Sequence, residues 1–450
     1  MRKFLFKITP KFLFVLLLFS TVAYTTPSFI SEVDRDQYEE YNPSENNIMR
    51  IWIAYVGQGD GILIQLPKKI KPDSETLDNI IDITIDGGAN TFFGKFLDKL
   101  YDDYESYLIN YSIITHFDDD HFNGLNHMMK RESAIFDRFY HGGQAIFKKG
   151  YWSDETTKLA GAKKRFMGNF PNGKMSAKYM IKDFKDLKKH HPEGYYKRYG
   201  EFVTNLIQID NSYEENTVYN RVYYTDDHQN DLETQINGLS SDLELTLLWP
   251  NKTLYNYKNI WSKTINGNSV TFLLKYDDFE MLFTGDLNNY SEDSLLSFLR
   301  SENMEHLLEC DVLKVPHHGA GEKHASYDFF KKSKLEPVVS VASMGGTGFK
   351  SKIVSGPRTG WQHPSDSLIR MLGGANRFFS TYVKEQSFLW KNMIHKDSLT
   401  KLIEKTHILI ETDGKRFRIV EIDADKKGPI TIPIVENVDR GDGTWWIEAR

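Results

Sequence analysis

Short apolar runs punctuated by turn residues recur along most of the chain. Ile51-Trp52-Ile53-Ala54-Tyr55-Val56 is followed by Gly57-Gln58-Gly59-Asp60 and then Ile62-Leu63-Ile64-Gln65-Leu66, which predicts strand, turn and strand. A third run, Ile81 to Ile85, ends in Asp86-Gly87-Gly88, and a fourth, Tyr107 to Thr115, ends in a cluster of acids and histidines. From Met128 to about Asp242 no clean period survives, and the stretch reads as an insertion. Strand signals resume at Leu243 to Trp249, Val270 to Lys275 and Met281 to Thr284. A helical segment, Glu292 to Leu308, leads into a strand at Val312 to Val315; a short helix, Tyr327 to Lys334, leads into another at Val338 to Ala342. His407 to Thr412, Asp413-Gly414 and Phe417 to Ile422 form a hairpin signal, because Asp-Gly supplies the positive φ angles of a tight turn. No repeat of fixed period is visible.

The N-terminus follows a different rule. Arg2, Lys3, Lys7 and Lys11 precede the apolar run Phe12 to Phe19, and small residues follow through Ala23, the pattern of an export signal. Residues 1–26 are therefore expected to be a signal peptide or an N-terminal anchor that tethers the chain to a membrane. Residues 27–47 read as an acidic linker, 48–395 as the main domain with its insertion at about 131–242, and 396–450 as a C-terminal β extension. The expected location is periplasmic or extracellular.

Composition narrows the classes. With 40% hydrophobic and 14% aromatic residues in 450, the chain is neither mostly disordered nor a polytopic membrane protein. Lys plus Arg number 56 against 62 Asp plus Glu, so no whole-protein basic field argues for nucleic acid. A single cysteine, Cys310, excludes intramolecular disulfides and multi-cysteine metal sites.

The densest chemistry is Thr115-His116-Phe117-Asp118-Asp119-Asp120-His121-Phe122-Asn123-Gly124, directly after an apolar strand and before an expected helix. In extended backbone, alternate residues share a side, so His116, Asp118 and Asp120 can converge while His121 reaches a second point nearby. Imidazole and carboxylate together suit a first-row divalent ion. Asp286, after Leu282-Phe283-Thr284-Gly285, is placed to bridge two ions. His317 and His318 follow Val312 to Pro316, and one of them is expected to enter the cleft. Asp86 is expected to be structural, accepting hydrogen bonds from a neighbouring loop. The Gly57-Gln58-Gly59-Asp60-Gly61 loop is a poor phosphate cradle: such loops open a helix, whereas Ile62 to Leu66 reads as strand.

These residues carry a resemblance. Tyr55 to Ile64, Ile85 to Gly88, His116 to Gly124, Asn268-Ser269-Val270, Phe283 to Asp286, Leu313 to Gly319 and Trp361-Gln362-His363-Pro364-Ser365, in that order, resemble the metallo-β-lactamase superfamily. Within it they look most like the hydrolase domain of DNA-uptake competence proteins of the ComEC type. The resemblance covers roughly Met49 to His127 and Leu243 to Leu372. It implies an α+β fold, a four-layer αββα sandwich with a helical or irregular insertion and the C-terminal β-hairpin extension. It further implies two divalent ions, zinc or manganese, held by His116, Asp118, Asp120, His121, Asp286 and His318, with His317 as the competing choice for the last. Two departures from the superfamily pattern make the site richer in oxygen: Asp118 stands where a second histidine is usual, and Asn266 and Asn268 stand near the place of a missing histidine. His141 could supply the missing ligand.

A dinuclear site of this kind activates water and clamps both oxygens of an in-line displacement. Asp120, His317 and His363 are the expected catalytic residues, with Asp120 directing the attack and His363 contacting the scissile group or protonating the leaving oxygen. Hydrolysis of a phosphodiester, with single-stranded DNA as a partner, is what the resemblance implies. The insertion adds lysines and arginines interleaved with aromatics, including Lys163, Lys164 and Arg165; these and Asn268 are candidate substrate contacts. Amide, lactone or other ester hydrolysis, and a non-catalytic exported binding module, are the alternatives. Nothing in the sequence calls for an obligate protein partner.

Overall fold

The computed structural model describes residues 43–71, 80–148, 166–169, 174–177, 181, 183–188, 194–212, 218–255, 261–321, 324–344, 363–374, 377–382, 405–430 and 446–450. The N-terminal segment, the linker as far as residue 42, and Lys163, Lys164 and Arg165 lie outside the described residues.

Two large sheets carry the apolar runs. In the first, nine strands lie in the order β18 (Ile447–Glu448), β17 (Arg416–Asp423), β16 (Thr406–Thr412), β1 (Met49–Ile53), β2 (Gly61–Gln65), β3 (Asp82–Asp86), β4 (Tyr107–Ile114), β5 (Ala134–His141) and β9 (Val218–Arg221). In the second, six lie in the order β10 (Leu243–Trp249), β11 (Thr271–Tyr276), β12 (Phe279–Phe283), β13 (Val312–Lys314), β14 (Val339–Ala342) and β15 (Phe378–Ser380). A small antiparallel sheet joins β6 (Ile146–Lys148), β8 (Lys174–Ala177) and β7 (Phe166–Asn169).

Alternation along each strand sends side chains to two buried faces, as expected of sheets covered on both sides. Trp52, Leu63, Ile109 and Leu409 pack outward against helices α1 (Phe92–Leu100), α2 (Asp119–Met128) and α3 (Lys197–Ser212) through Phe93, Phe96, Phe122, Leu125 and Phe202. On the second sheet Leu273, Leu282 and Leu313 pack against α4 (Asn289–Ser301), α5 (Tyr327–Lys331) and α6 (Asp366–Met371) through Leu295, Leu299, Phe329 and Leu368. The alternate residues, Ile51, Ile53, Ile62 and Ile64 on one sheet and Phe272, Leu274, Met281 and Phe283 on the other, are also buried. Contacts cross between the sheets: Phe279 and Phe417 lie 5.5 Å apart by ring centroid, and Tyr276 Oη donates to the Asn47 carbonyl at 2.8 Å. The architecture is thus mixed α+β, with two facing sheets and helices outside them. Each fully buried Leu, Ile or Phe contributes roughly 1.5–3 kcal/mol.

Two features differ from the sequence expectation. β5 and β9 fall inside the stretch read as an insertion, yet both pair in parallel within the first sheet. In β5, Asp137-Arg138 interrupts the apolar alternation, and this hides the strand in the sequence. The C-terminal hairpin continues the first sheet, because β16 pairs antiparallel with β1. Among the described residues no helix is long and apolar enough to cross a membrane.

Strand direction decides where chemistry can gather. β3, β4 and β5 run parallel, as do β12, β13 and β14, so the carboxyl ends of each group share an edge. Gly61, at the start of β2, pairs with Asp86 at the end of β3, which brings the residue before Gly61 to that same edge.

Candidate metal centre

The strand ends deliver their side chains to one place. β4 runs out into Thr115 and His116, and Asp118 then caps α2, whose first turn carries Asp119, Asp120 and His121. Acids in a first helical turn are favoured by the helix dipole. β12 ends just before Thr284-Gly285-Asp286, and a capping box on Asn288 and Ser291 starts α4 immediately afterwards, fixing the exit of the chain from Asp286. β13 leads through Pro316 to His317 and His318, which hold positive φ angles of 47° and 54°. Non-glycine residues in that region cost on the order of 1–3 kcal/mol and concentrate at functional sites.

Two glycines make the approach possible. Gly59 has φ +111°, and a Cβ there would lie 1.7 Å from the Asp120 carbonyl oxygen. Gly285 has φ +50°, and its Cβ would meet Ser269 at 2.8 Å and Thr115 at 3.0 Å.

Asp286 is the hub. Its carboxylate lies 3.9 Å from His116 Nε2, 3.3 Å from His121 Nε2, 3.4 Å from His318 Nε2 and 3.8 Å from His317 Nε2. His318 Nε2 is also 3.7 Å from Asp120 Oδ2. Three of these imidazoles are held from behind. His116 Nδ1 is 3.0 Å from Thr115 Oγ1 and 3.3 Å from Ser269 Oγ. His121 Nδ1 donates to Asp86 Oδ2 at 2.8 Å, and His318 Nδ1 donates to the Ser343 carbonyl at 2.8 Å. Their inner Nε2 atoms, with Asp286 Oδ1, are buried and have no hydrogen-bond partner. Buried polar atoms are ordinarily paired, and an imidazole anchored at Nδ1 with a bare Nε2 is the arrangement of a metal ligand. The described residues include four overlapping groups able to hold an ion: His116, His121 and Asp286; Asp120, His121 and His318; Asp60, Asp286 and His318; and Asp60, Asp86 and His121.

The electrostatics agree. Burial pushes His121 and His318 down, but the carboxylates of Asp286 and Asp86 for the first, and of Asp286 and Asp60 for the second, outweigh it; His121 ends well above the usual range and His318 at about 10. Burial would raise Asp286, yet His121, His318 and His317 hold it well below the carboxylate range. The pocket therefore demands positive charge, which a divalent ion can supply in place of protons. His116 is pushed well below its usual value by burial and then by His121, and so offers a neutral ring.

Of the residues named from sequence, His116, Asp120, His121, Asp286, His317 and His318 come together. Asp86 sits behind them, accepting from Thr115 N at 2.8 Å, from Thr115 Oγ1 at 2.5 Å and from His121. Asp118 is the N-cap residue of α2; its carbonyl accepts from His121 N at 3.0 Å, and none of the four ligand groups includes it. Asn268 is fully buried, and its amide binds the backbone of Tyr255 and Thr264, which makes it a loop brace outside the cluster. His363 lies beside the cluster, 5.9 Å from His317 by ring centroid. His141 is stacked on Tyr219 at 4.1 Å, accepts from Gly143 N, and belongs to none of the groups.

Two members, Asp60 and His324, are not among the site residues named from sequence, and Asn266 is named there only as lying near the place of a missing histidine. Asp60 is buried in the cluster and paired with Lys314 at 2.9 Å. Asn266 donates to Asp286 at 3.3 Å, and His324 meets the His317 ring edge-on at 5.7 Å. A signal for Asp60 was present: a lysine inside Val312-Leu313-Lys314-Val315, an otherwise apolar strand, requires a buried anion somewhere.

No known family's profile matches the chain, and no curated protein matches it. Among solved structures, the long form of RNase Z from yeast is similar at 9% identity with a TM-score of 0.32; the match covers 74% of this chain and 42% of that one, so the chain spans less than half the length of that protein.

Proposed function

We propose that the protein is an exported, metal-dependent hydrolase of phosphodiesters with a ComEC-like metallo-β-lactamase site. The observation that carries this reading is the convergence of three buried, partnerless histidine Nε2 atoms on Asp286 from separate strand ends. His116, His121, His318, Asp120 and Asp286 would hold two divalent ions, zinc or manganese. Such ions lower the pKa of a water and stabilise the attacking and leaving oxygens of an in-line displacement.

The chain's own groups supply the rest. Asp120, with its side chain 25% exposed, faces the opening and can accept a proton from the attacking water while fixing its direction. His317 and His363 lie side by side next to the cluster, 5.9 Å apart by ring centroid. Burial lowers both, and the neighbouring His318 and His317 help to take His363 to about 3. A neutral imidazole there donates a hydrogen bond to a phosphoryl or leaving oxygen, in place of the protonation of the leaving oxygen expected of His363 from the sequence, because it carries no additional proton to transfer at neutral pH. Asn266, braced against Asp286 and His317, keeps that rim in place. Single-stranded nucleic acid is the substrate class that the basic, aromatic segment around Lys163, Lys164 and Arg165 supports. Export, with the N-terminal segment as signal or tether, rests on its charged and apolar pattern.

The test is hydrolysis of bis-p-nitrophenyl phosphate and single-stranded oligonucleotides against lactam and lactone substrates, with zinc or manganese added singly to chelator-stripped protein. Turnover of phosphodiesters that chelation removes is expected. Turnover of lactams or lactones alone would reassign the substrate, and absence of bound metal would end the proposal.

A further inference from the structure

Beneath the histidines lies a charge pair with no place in the chemistry above. Lys314 Nζ is 2.9 Å from Asp60 Oδ2, and the two side chains are 1% and 2% exposed. Nζ also donates to the Val315 carbonyl at 3.1 Å. The other carboxylate oxygen, Asp60 Oδ1, has no hydrogen-bond partner and lies 3.4 Å from His318 Nδ1. Asp60 belongs to two of the four ligand groups, each with ligand atoms within 4.8 Å of one another. A carboxylate thus stands within reach of the ions while an ammonium occupies one of its oxygens. Among the ion pairs of the described residues, Lys314 is the one lysine or arginine that meets a carboxylate of this cluster.

An orienting role for Asp60 would be redundant. His318 Nδ1 is already held by the Ser343 carbonyl at 2.8 Å, and Ser343 Oγ fixes the loop by donating to the Gly59 carbonyl at 2.7 Å. Nor does the pair serve stability well, since a buried ion pair is often no better than two apolar side chains of the same size. What it does uniquely is neutralise one carboxylate of the cluster.

We propose that Lys314 is a ligand lock: by pairing with Asp60 it withholds an oxygen donor from the ions and so sets the metal preference of the site. With the lock closed, the donors are the imidazoles of His116, His121 and His318 and the carboxylates of Asp120 and Asp286. Opening it adds a hard anionic oxygen. Imidazole suits zinc and added carboxylate suits manganese, so the manganese-to-zinc affinity ratio rises when Lys314 is lost, even though zinc remains the tighter ion in absolute terms. The inference rests on the reading of the cluster as a divalent-ion site, and it goes beyond that reading in naming what tunes it.

The experiment compares purified full-length wild type with Lys314→Met, Lys314→Gln, Asp60→Asn and the double variant Asp60→Asn/Lys314→Met. Bound zinc and manganese are counted by mass spectrometry after dialysis, and their relative affinities are measured by chelator competition. Lys314→Met is expected to raise the manganese-to-zinc ratio at least tenfold. Lys314→Gln, which keeps a hydrogen bond to Asp60 without the charge, covers the case in which the methionine variant does not fold and should shift the ratio in the same direction. The double variant, with both charges gone, should stay within threefold of wild type in ratio and retain its stoichiometry, whereas Asp60→Asn, which leaves the buried ammonium unmatched, should bind both ions more weakly with no rise in the ratio. A wild-type ratio in both Lys314 variants overturns the lock, as does loss of ions in the double variant, where no unmatched lysine remains, which would make Asp60 itself a ligand. Wild type that binds no divalent ion overturns both this inference and the function beneath it; wild type that binds ions with an unmoved ratio overturns the lock alone.

Discussion

Replacing Asp286 with asparagine keeps the shape of the hub and removes its charge. Oxygens of Asp286 lie 3.3 to 3.9 Å from four imidazole nitrogens, so ions seated among those nitrogens would be in direct contact with them. Two unit charges about 3.5 Å apart interact by roughly 5 kcal/mol at an effective dielectric of about 20, before any desolvation cost is recovered. A net loss of about 3 kcal/mol in metal binding is a conservative share, and it corresponds to roughly a hundredfold weaker affinity. Proton competition modifies this in a direction that can be checked. In the metal-free protein Asp286 helps raise His318 to about 10, so wild-type His318 is protonated at neutral pH and an entering ion must displace that proton. Wild-type affinity therefore climbs by up to about tenfold per pH unit for each proton displaced, until the pH approaches that pKa. The Asn variant lacks the anion that holds the proton, and its affinity should change less with pH. Competition titrations against a chromophoric chelator at pH 6.5, 7.5 and 8.5 should then show the deficit of the variant growing as pH rises, to about a hundredfold or more at 8.5. Equal affinity within threefold at pH 8.5, or a deficit that shrinks with rising pH, would refute the bridging role of Asp286.

Asp120→Asn should cut turnover of a phosphodiester by about a hundredfold or more while leaving the circular dichroism spectrum unchanged, because the side chain is partly exposed and its loss removes a charge beside the attacking water; an unaltered kcat would remove Asp120 from the mechanism. Asp86→Asn is expected to weaken metal binding by roughly ten- to a hundredfold through the 2.8 Å bond that orients His121, a loss measurable by the same titration; wild-type affinity would show that the ring needs no such anchor. Gly59→Ala places a methyl 1.7 Å from the Asp120 carbonyl in a left-handed backbone conformation, so thermal melts should show either no folded protein or a marked loss of Tm, and an unchanged melt would mean that the loop can move aside.

The parts of this site legible in the sequence share a property: each stands where an apolar run stops. His116 and His121 follow β4, Asp286 follows β12, and His318 follows β13, so the period of the strand announces both the element and its end. Asp118 follows β4 as well. Its backbone is still extended at the N-cap of the helix that begins at Asp119, so alternation alone does not decide its place, and none of the four ligand groups includes it. Asp60 was hidden because it precedes a strand instead of following one; only the antiparallel pairing of Gly61 with Asp86 carries it to the metal edge, and pairing between strands is not written in either segment alone. β5 went unseen because Asp137 and Arg138 sit on a strand whose other residues face the core, a mixture that periodicity scores as noise. Local pattern therefore reports what one strand presents, and the chemistry contributed by Asp60 and Lys314 depends on which strands lie opposite one another. The buried lysine is the exception that links the two levels. A charge that cannot be solvated must be matched, so its presence in β13 required an unseen anion close at hand, and the fold supplied Asp60 from the facing sheet.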